Sequence, residues 1–118
     1  MLTNDALAAK LNAALSQTSD VYVNAGVDEN EYFEGLRQNI KEHQCVPYLV
    51  SATVMPPGFP NINLGTKISG YCVAKDETAG YWLVYSPEAD TFYCFWGTTE
   101  SNLGAHGVLG SPLYCWSA

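Results

Sequence analysis

The chain has 118 residues, of which 47% are hydrophobic, 13% aromatic and only 14% charged, against roughly 25% charged in an average domain. That balance fits a single domain spanning residues 1–118 with one hydrophobic core and argues against a disordered chain. Twelve acidic residues face five basic ones, giving a net charge of −7 with Arg37 as the only arginine, so phosphate backbones and anionic membrane surfaces are disfavoured as direct partners.

From Thr3 or Asn4 to about Gln17, the leucines Leu2, Leu7, Leu11 and Leu15 recur at helical spacing among alanines, which predicts an amphipathic helix capped by Thr3, Asn4 or Asp5. Val21 to Ala25 is short and β-favouring, and Gly26 breaks it. Asp28 is placed to cap a second helix. Glu29, Glu31 and Glu34 stand near the positive end of its dipole, and Arg37, Lys41 and His43 toward the negative end. Tyr32, Phe33, Leu36 and Ile40 supply its apolar stripe.

Val46 to Met55 reads as a strand that ends at Pro56-Pro57-Gly58-Phe59-Pro60, and the following loop carries Phe59, Ile62 and Leu64 either under the sheet or toward a partner. Lys67 to Ala74, Tyr81 to Tyr85 and Thr91 to Trp96 are strand-like, separated by the polar turns Lys75 to Gly80 and Ser86 to Asp90. They predict an antiparallel meander. In the middle run, Tyr81, Leu83 and Tyr85 share one face and Trp82 and Val84 the other, so both faces are apolar or amphipathic. Thr98 to Gly110 reads as a glycine-punctuated loop and Pro112 to Trp116 as a last strand. The expected fold is α+β: two N-terminal helices packed on an antiparallel sheet that contains a C-terminal β-meander.

The chain carries little that reads as chemistry. Cys45, Cys72, Cys94 and Cys115 show no Cys-x-x-Cys pair and have apolar flanks, which predicts reduced thiols with Cys94 buried. The one nucleophile–base combination available is Cys94 or Cys115 with His106 or His43, and strand alternation around Cys94 favours a structural side chain. Glycines near Gly104 and Gly107 match neither the Walker nor the dinucleotide spacing, and the acidic runs lie at a helix start and in turns. No cofactor, no metal and no enzymatic activity is therefore expected.

The string YWLVYSPEADTFYCFWG from Tyr81 to Gly97, followed by Ser111-Pro112-Leu113-Tyr114-Cys115-Trp116, resembles the style of small bacterial immunity proteins. The resemblance implies cytoplasmic action and tight binding to a cognate protein toxin, often over its active site. Charge and aromatics are consistent with that class. Acidic turns would steer a basic toxin surface and Tyr and Trp side chains would anchor it, with Asp76, Glu77, Tyr81, Trp82, Tyr85, Glu88, Asp90 and Trp96 as the candidate contacts. The competing reading is a small ligand-binding or scaffold domain with an aromatic-lined pocket. The absence of a basic leader or of about 20 consecutive apolar residues makes the cytoplasm the expected location.

Overall fold

The computed structural model describes residues 3–117, and the expected contribution of Leu2 lies outside them. Helix α1 (Asn4–Ala14) starts where the Thr3 hydroxyl accepts the Ala6 amide at 3.1 Å, and helix α2 (Glu29–Glu42) where the Asp28 carboxylate accepts the Glu31 amide at 3.1 Å. Each cap satisfies an amide that the first helical turn leaves without a partner. Five strands follow, β1 (Gln44–Val54), β2 (Lys67–Asp76), β3 (Tyr81–Ser86), β4 (Thr91–Trp96) and β5 (Leu103–Gly110), and a short helix α3 (Pro112–Ser117) ends the described chain. The fold is α+β with a mainly antiparallel sheet.

The sheet closes on itself as a barrel in the order β1-β2-β3-β4-β5. Consecutive strands pair antiparallel, so the first and fifth run in the same direction, and an odd-numbered meander can close only through a parallel pair. That pair is short. It joins Ala52 to Leu103, Thr53 to Gly104 and Val54 to Ala105.

Closure decides the fate of the two apolar faces of the meander. Val50, Ala52, Val54, Cys72, Trp82, Val84, Phe95, Leu103 and Ala105 pack together as the barrel interior, with Phe59 from the β1–β2 loop added to them. Phe59 meets Tyr93 edge-on at 5.4 Å, Ile62 is half-buried, and Leu64 remains exposed. The opposite face, from Val73, Leu83, Tyr85, Phe92 and Cys94, is buried by Leu7, Leu11, Ala14 and Leu15, Ile40 of α2, and Leu113, Cys115 and Trp116 of α3. Of the α2 stripe, only Ile40 is fully buried.

Four expectations change. The segment Pro112 to Trp116 is helix α3 rather than a last strand: Ser111 accepts the Tyr114 amide at 3.2 Å and Pro112 occupies the first helical position, a start signal that outweighs the aromatic β-propensity. Thr98 to Gly110 is not all loop, because β5 takes up Leu103 to Gly110. Val21 to Ala25 forms no strand, and Val21 instead packs against the outer core. The helical layer is not the N-terminal pair alone, since α3 shares it, with the Trp116 indole donating to Asn39 Oδ1 on α2 at 2.7 Å.

Gly107 shows why glycines suit β5. Its φ is +98° and an added Cβ would collide with the carbonyl oxygen of Gly58, so the strand approaches the β1–β2 loop only because that side chain is missing. Gly107→Ala should therefore lower stability by at least about 1 kcal/mol, and Leu11→Ala, which hollows the outer core, by about 2–5 kcal/mol. Urea denaturation reads both, and native stability in either variant would contradict the packing described.

Candidate functional site

The acidic and aromatic residues expected to form one contact surface are dispersed by the fold. Trp82 is fully enclosed in the barrel and Tyr85 is buried under α1, so neither is within reach of a partner. Tyr81 and Trp96 are half-buried on the helix-covered face, where Tyr81 meets the Trp116 ring edge-on at 5.5 Å and Trp96 meets His106 at 5.6 Å. The two acidic turns sit at opposite ends of the six-residue strand β3, about 20 Å apart at the usual rise per residue. Asp76 and Glu77 therefore belong to one end of the barrel, and Glu88 and Asp90 to the other.

At the Asp90 end, a cleft of about 420 Å³ opens between α1 and the β3–β4 turn, lined by Lys10, Asp20, Tyr85, Asp90 and Ser111 among others. The Tyr85 hydroxyl donates to Asp90 Oδ1 at 2.5 Å, and Lys10 Nζ lies 3.3 Å from the same oxygen. These bonds, the tyrosine first, hold the Asp90 carboxyl below its ordinary range. Asp20 is held in place by the Ser111 amide at 2.8 Å and hydroxyl at 2.6 Å.

The other end of the barrel gathers Tyr48, Lys75, Glu77 and Glu100. Glu100 accepts from the Tyr48 hydroxyl at 2.7 Å and from Lys75 Nζ at 3.0 Å, while Lys75 also lies 3.1 Å from Glu77. Burial first, then the Glu100 contact, pushes the Tyr48 phenol well up, and the Tyr48 and Lys75 bonds lower Glu100. Asp76 turns the hairpin by accepting the Ala79 amide at 3.0 Å and lies 3.5 Å from His43 Nε2.

This end also has an incomplete sheet edge. Only Ala52, Thr53 and Val54 of β1 pair with β5, so among the described residues the preceding part of β1 has no strand on that side. The Val54 amide donates toward Thr66 and the Met55 amide toward Ala105, both at 2.8 Å, which sets the alternation: odd-numbered residues point their backbone groups to the β5 side. Leu49 thus presents its amide and carbonyl to an open edge. Beside it lies a depression of about 400 Å³ lined by Tyr48, Leu49, Ser51, Glu100 and Ser101. Val46 is 72% and Leu49 62% exposed, and Pro47, which has no amide hydrogen, lies in the irregular stretch between Gln44 and Tyr48, where the ladder tolerates it. Sequence reasoning missed this edge, although a proline within an apolar run is a signal for one.

The thiols and imidazoles do not assemble into a nucleophile–base pair. Cys94 and Cys115 are buried and directed at the Phe95 and Phe92 carbonyls, and burial pushes Cys94 up to about 12 and Cys115 well above its ordinary value. His106 is bonded to the Pro56 carbonyl at 3.2 Å and His43 to the Asn39 carbonyl at 2.8 Å. No hydrogen bond joins either thiol to either ring among the described residues. All four cysteines are free, no group of three or more His, Cys, Asp or Glu side chains is arranged to hold a metal ion, and no helix is long and apolar enough to cross a membrane, again among the described residues.

Comparison with known proteins finds no matching family model, no matching curated protein and no matching solved structure.

The Asp90 cluster yields a pH-dependent expectation. A carboxyl whose folded value is depressed contributes stability that is complete above the ordinary carboxylate range and is lost as pH falls through the folded value. Asp90→Asn should therefore be less stable than the native chain near neutral pH, with the gap closing below about pH 4. Urea melts across that range test it, and a pH-independent gap would assign the loss to something other than the carboxylate.

Proposed function

We propose that this chain is a bacterial immunity protein that binds a cognate protein toxin in the cytoplasm and neutralises it by covering the active or substrate-binding surface. The observation that carries the reading is the open edge of β1 with Val46 and Leu49 exposed beside it. An extended segment of the toxin would add to this edge, exchanging backbone hydrogen bonds with Leu49 and covering the two apolar side chains. Charge supports a basic partner. Three of the five basic side chains, Lys10, Arg37 and Lys75, are already paired with carboxylates of the chain, and the surplus of −7 supplies a long-range field that accelerates encounter.

This placement moves the anchors away from the aromatic residues of the meander and keeps Glu77 and Glu88 as steering charges. A second reading is favoured by the cleft at the Asp90 end, where Lys10, Asp20 and Asp90 converge on a space large enough for a small polar ligand. The two readings separate by mutation. If the edge binds a toxin, Val46→Asp with Leu49→Asp should raise the Kd for that toxin by at least about tenfold, chiefly through faster dissociation. Glu77→Gln with Glu88→Gln should slow association and flatten its salt dependence. Kinetic binding measurements on variants with native melting temperatures decide the matter. Unchanged toxin binding by the edge variant would overturn the assignment, and binding of a small polar ligand that Lys10→Ala abolishes would favour the cleft.

A further inference from the structure

Cys45 and Cys72 occupy neighbouring antiparallel strands at an irregularity. The β1–β2 register passes from Gln44 opposite Ala74 to Tyr48 opposite Cys72, so β1 carries extra residues here, and Cys45 lies within that bulge. The Cys45 sulfur is 3.7 Å from the Cys72 carbonyl oxygen, and the Cys72 thiol is directed at the Ala74 carbonyl at 3.4 Å. Their surroundings differ. Cys72 is completely buried in the barrel, whereas Cys45 is half-exposed at the end that also holds Lys75, Tyr48 and Glu100.

We propose that Cys45 and Cys72 form a peroxide-sensitive dithiol site, in which Cys45 is the sulfur first oxidised and Cys72 closes a disulfide between β1 and β2.

The surroundings assign these roles. Contact with Cys72 lowers Cys45, an effect opposed by partial burial and by the Glu100 carboxylate and reinforced by the Lys75 ammonium, while the same contact and burial raise Cys72. Cys45 is the half-exposed sulfur, so a hydroperoxide in solution reaches it first, while Cys72, closed off from solvent on the neighbouring strand, is left to react with the oxidised Cys45. In the first step the Cys45 thiolate attacks one oxygen of a hydroperoxide, an S–O bond forms, the O–O bond breaks, and the leaving oxygen takes a proton to depart as water or an alcohol. In the second, the Cys72 sulfur attacks the Cys45 sulfenic acid, the S–S bond forms, the S–O bond breaks, and the hydroxide released takes the Cys72 proton as water. Two thiols are oxidised and one hydroperoxide is reduced. Cys94 and Cys115 share neither the exposure nor a basic neighbour, and burial keeps both protonated.

The test treats the freshly reduced full chain with a modest excess of hydrogen peroxide, quenches it with an alkylating agent under denaturing, nonreducing conditions and maps the peptides by mass spectrometry. Before treatment all four thiols should alkylate. Afterwards the native chain should yield a peptide linking Cys45 to Cys72, with Cys94 and Cys115 still alkylated. Cys72→Ser should stop at a Cys45 sulfenic acid that dimedone captures, with Cys72→Ala as a second choice should the serine not fold. A link from Cys45 to any other cysteine, or Cys45 oxidation in the native chain without a link to Cys72, would overturn the pairing. Equal or faster loss of Cys94 or Cys115 would overturn the site itself. The mapping uses the native chain and is independent of toxin binding.

Discussion

The structure depends on hiding both faces of the strands from β2 to β4, because neither face is polar enough to stand in water. Two devices do this together. The strands curl until β1 meets β5, which encloses Trp82, Val84 and Phe95, and three helices cover the outer face with Leu7, Leu11, Ile40 and Leu113. Each fully buried side chain of this size contributes about 1.5–3 kcal/mol relative to exposure, so enclosure outweighs the awkward consequences of closing a small barrel. One of these is visible inside it: the Trp82 indole nitrogen is buried without a hydrogen-bond partner. An orphaned donor costs about 1–3 kcal/mol, which the burial of so large a ring offsets.

A second consequence of closure lies at the seam. Four antiparallel reversals of direction leave the first and last strands parallel, and the three-residue pairing of Ala52–Val54 with Leu103–Ala105 does not extend along the rest of β1. The backbone at Leu49 is therefore available at the same end of the barrel where Tyr48, Lys75 and Glu100 bond to one another and where Cys45 is half-exposed. Polar chemistry collects there because the apolar interior ends there. The long glycine-containing connection between β4 and β5 brings Glu100 across that end without forming a strand of its own.

Electrostatics organises the surface more than it stabilises the fold. The ion pairs involve exposed or half-exposed groups, a class worth about 0–1 kcal/mol each. Their larger effect is to occupy the scarce cations. With Lys10, Arg37 and Lys75 engaged, among the described residues only Lys41 and Lys67 lack an acidic partner, and most of the negative field faces outward.

Much of the local structure is legible in the residues themselves. Asp28 and the charge order behind it define α2, the alternation of Tyr81 to Ser86 and Thr91 to Trp96 with turn residues between them defines the meander, and the apolar flanks of Cys94 place it in the core. These features are local, since caps, turns and period-two alternation act within a few residues. Helix α3 was also encoded locally, in Ser111 and Pro112, but the aromatic content of the segment pointed to a strand. Tertiary structure alone decided the rest. Whether Trp82 faces solvent, a partner or a barrel depends on β1 meeting β5 across some fifty residues, and neither strand carries a local mark of that pairing. The open edge at Leu49 and the approach of Cys45 to Cys72 follow from the same long-range register, because the side that a backbone amide faces is set by which strands pair, and where the pairing stops.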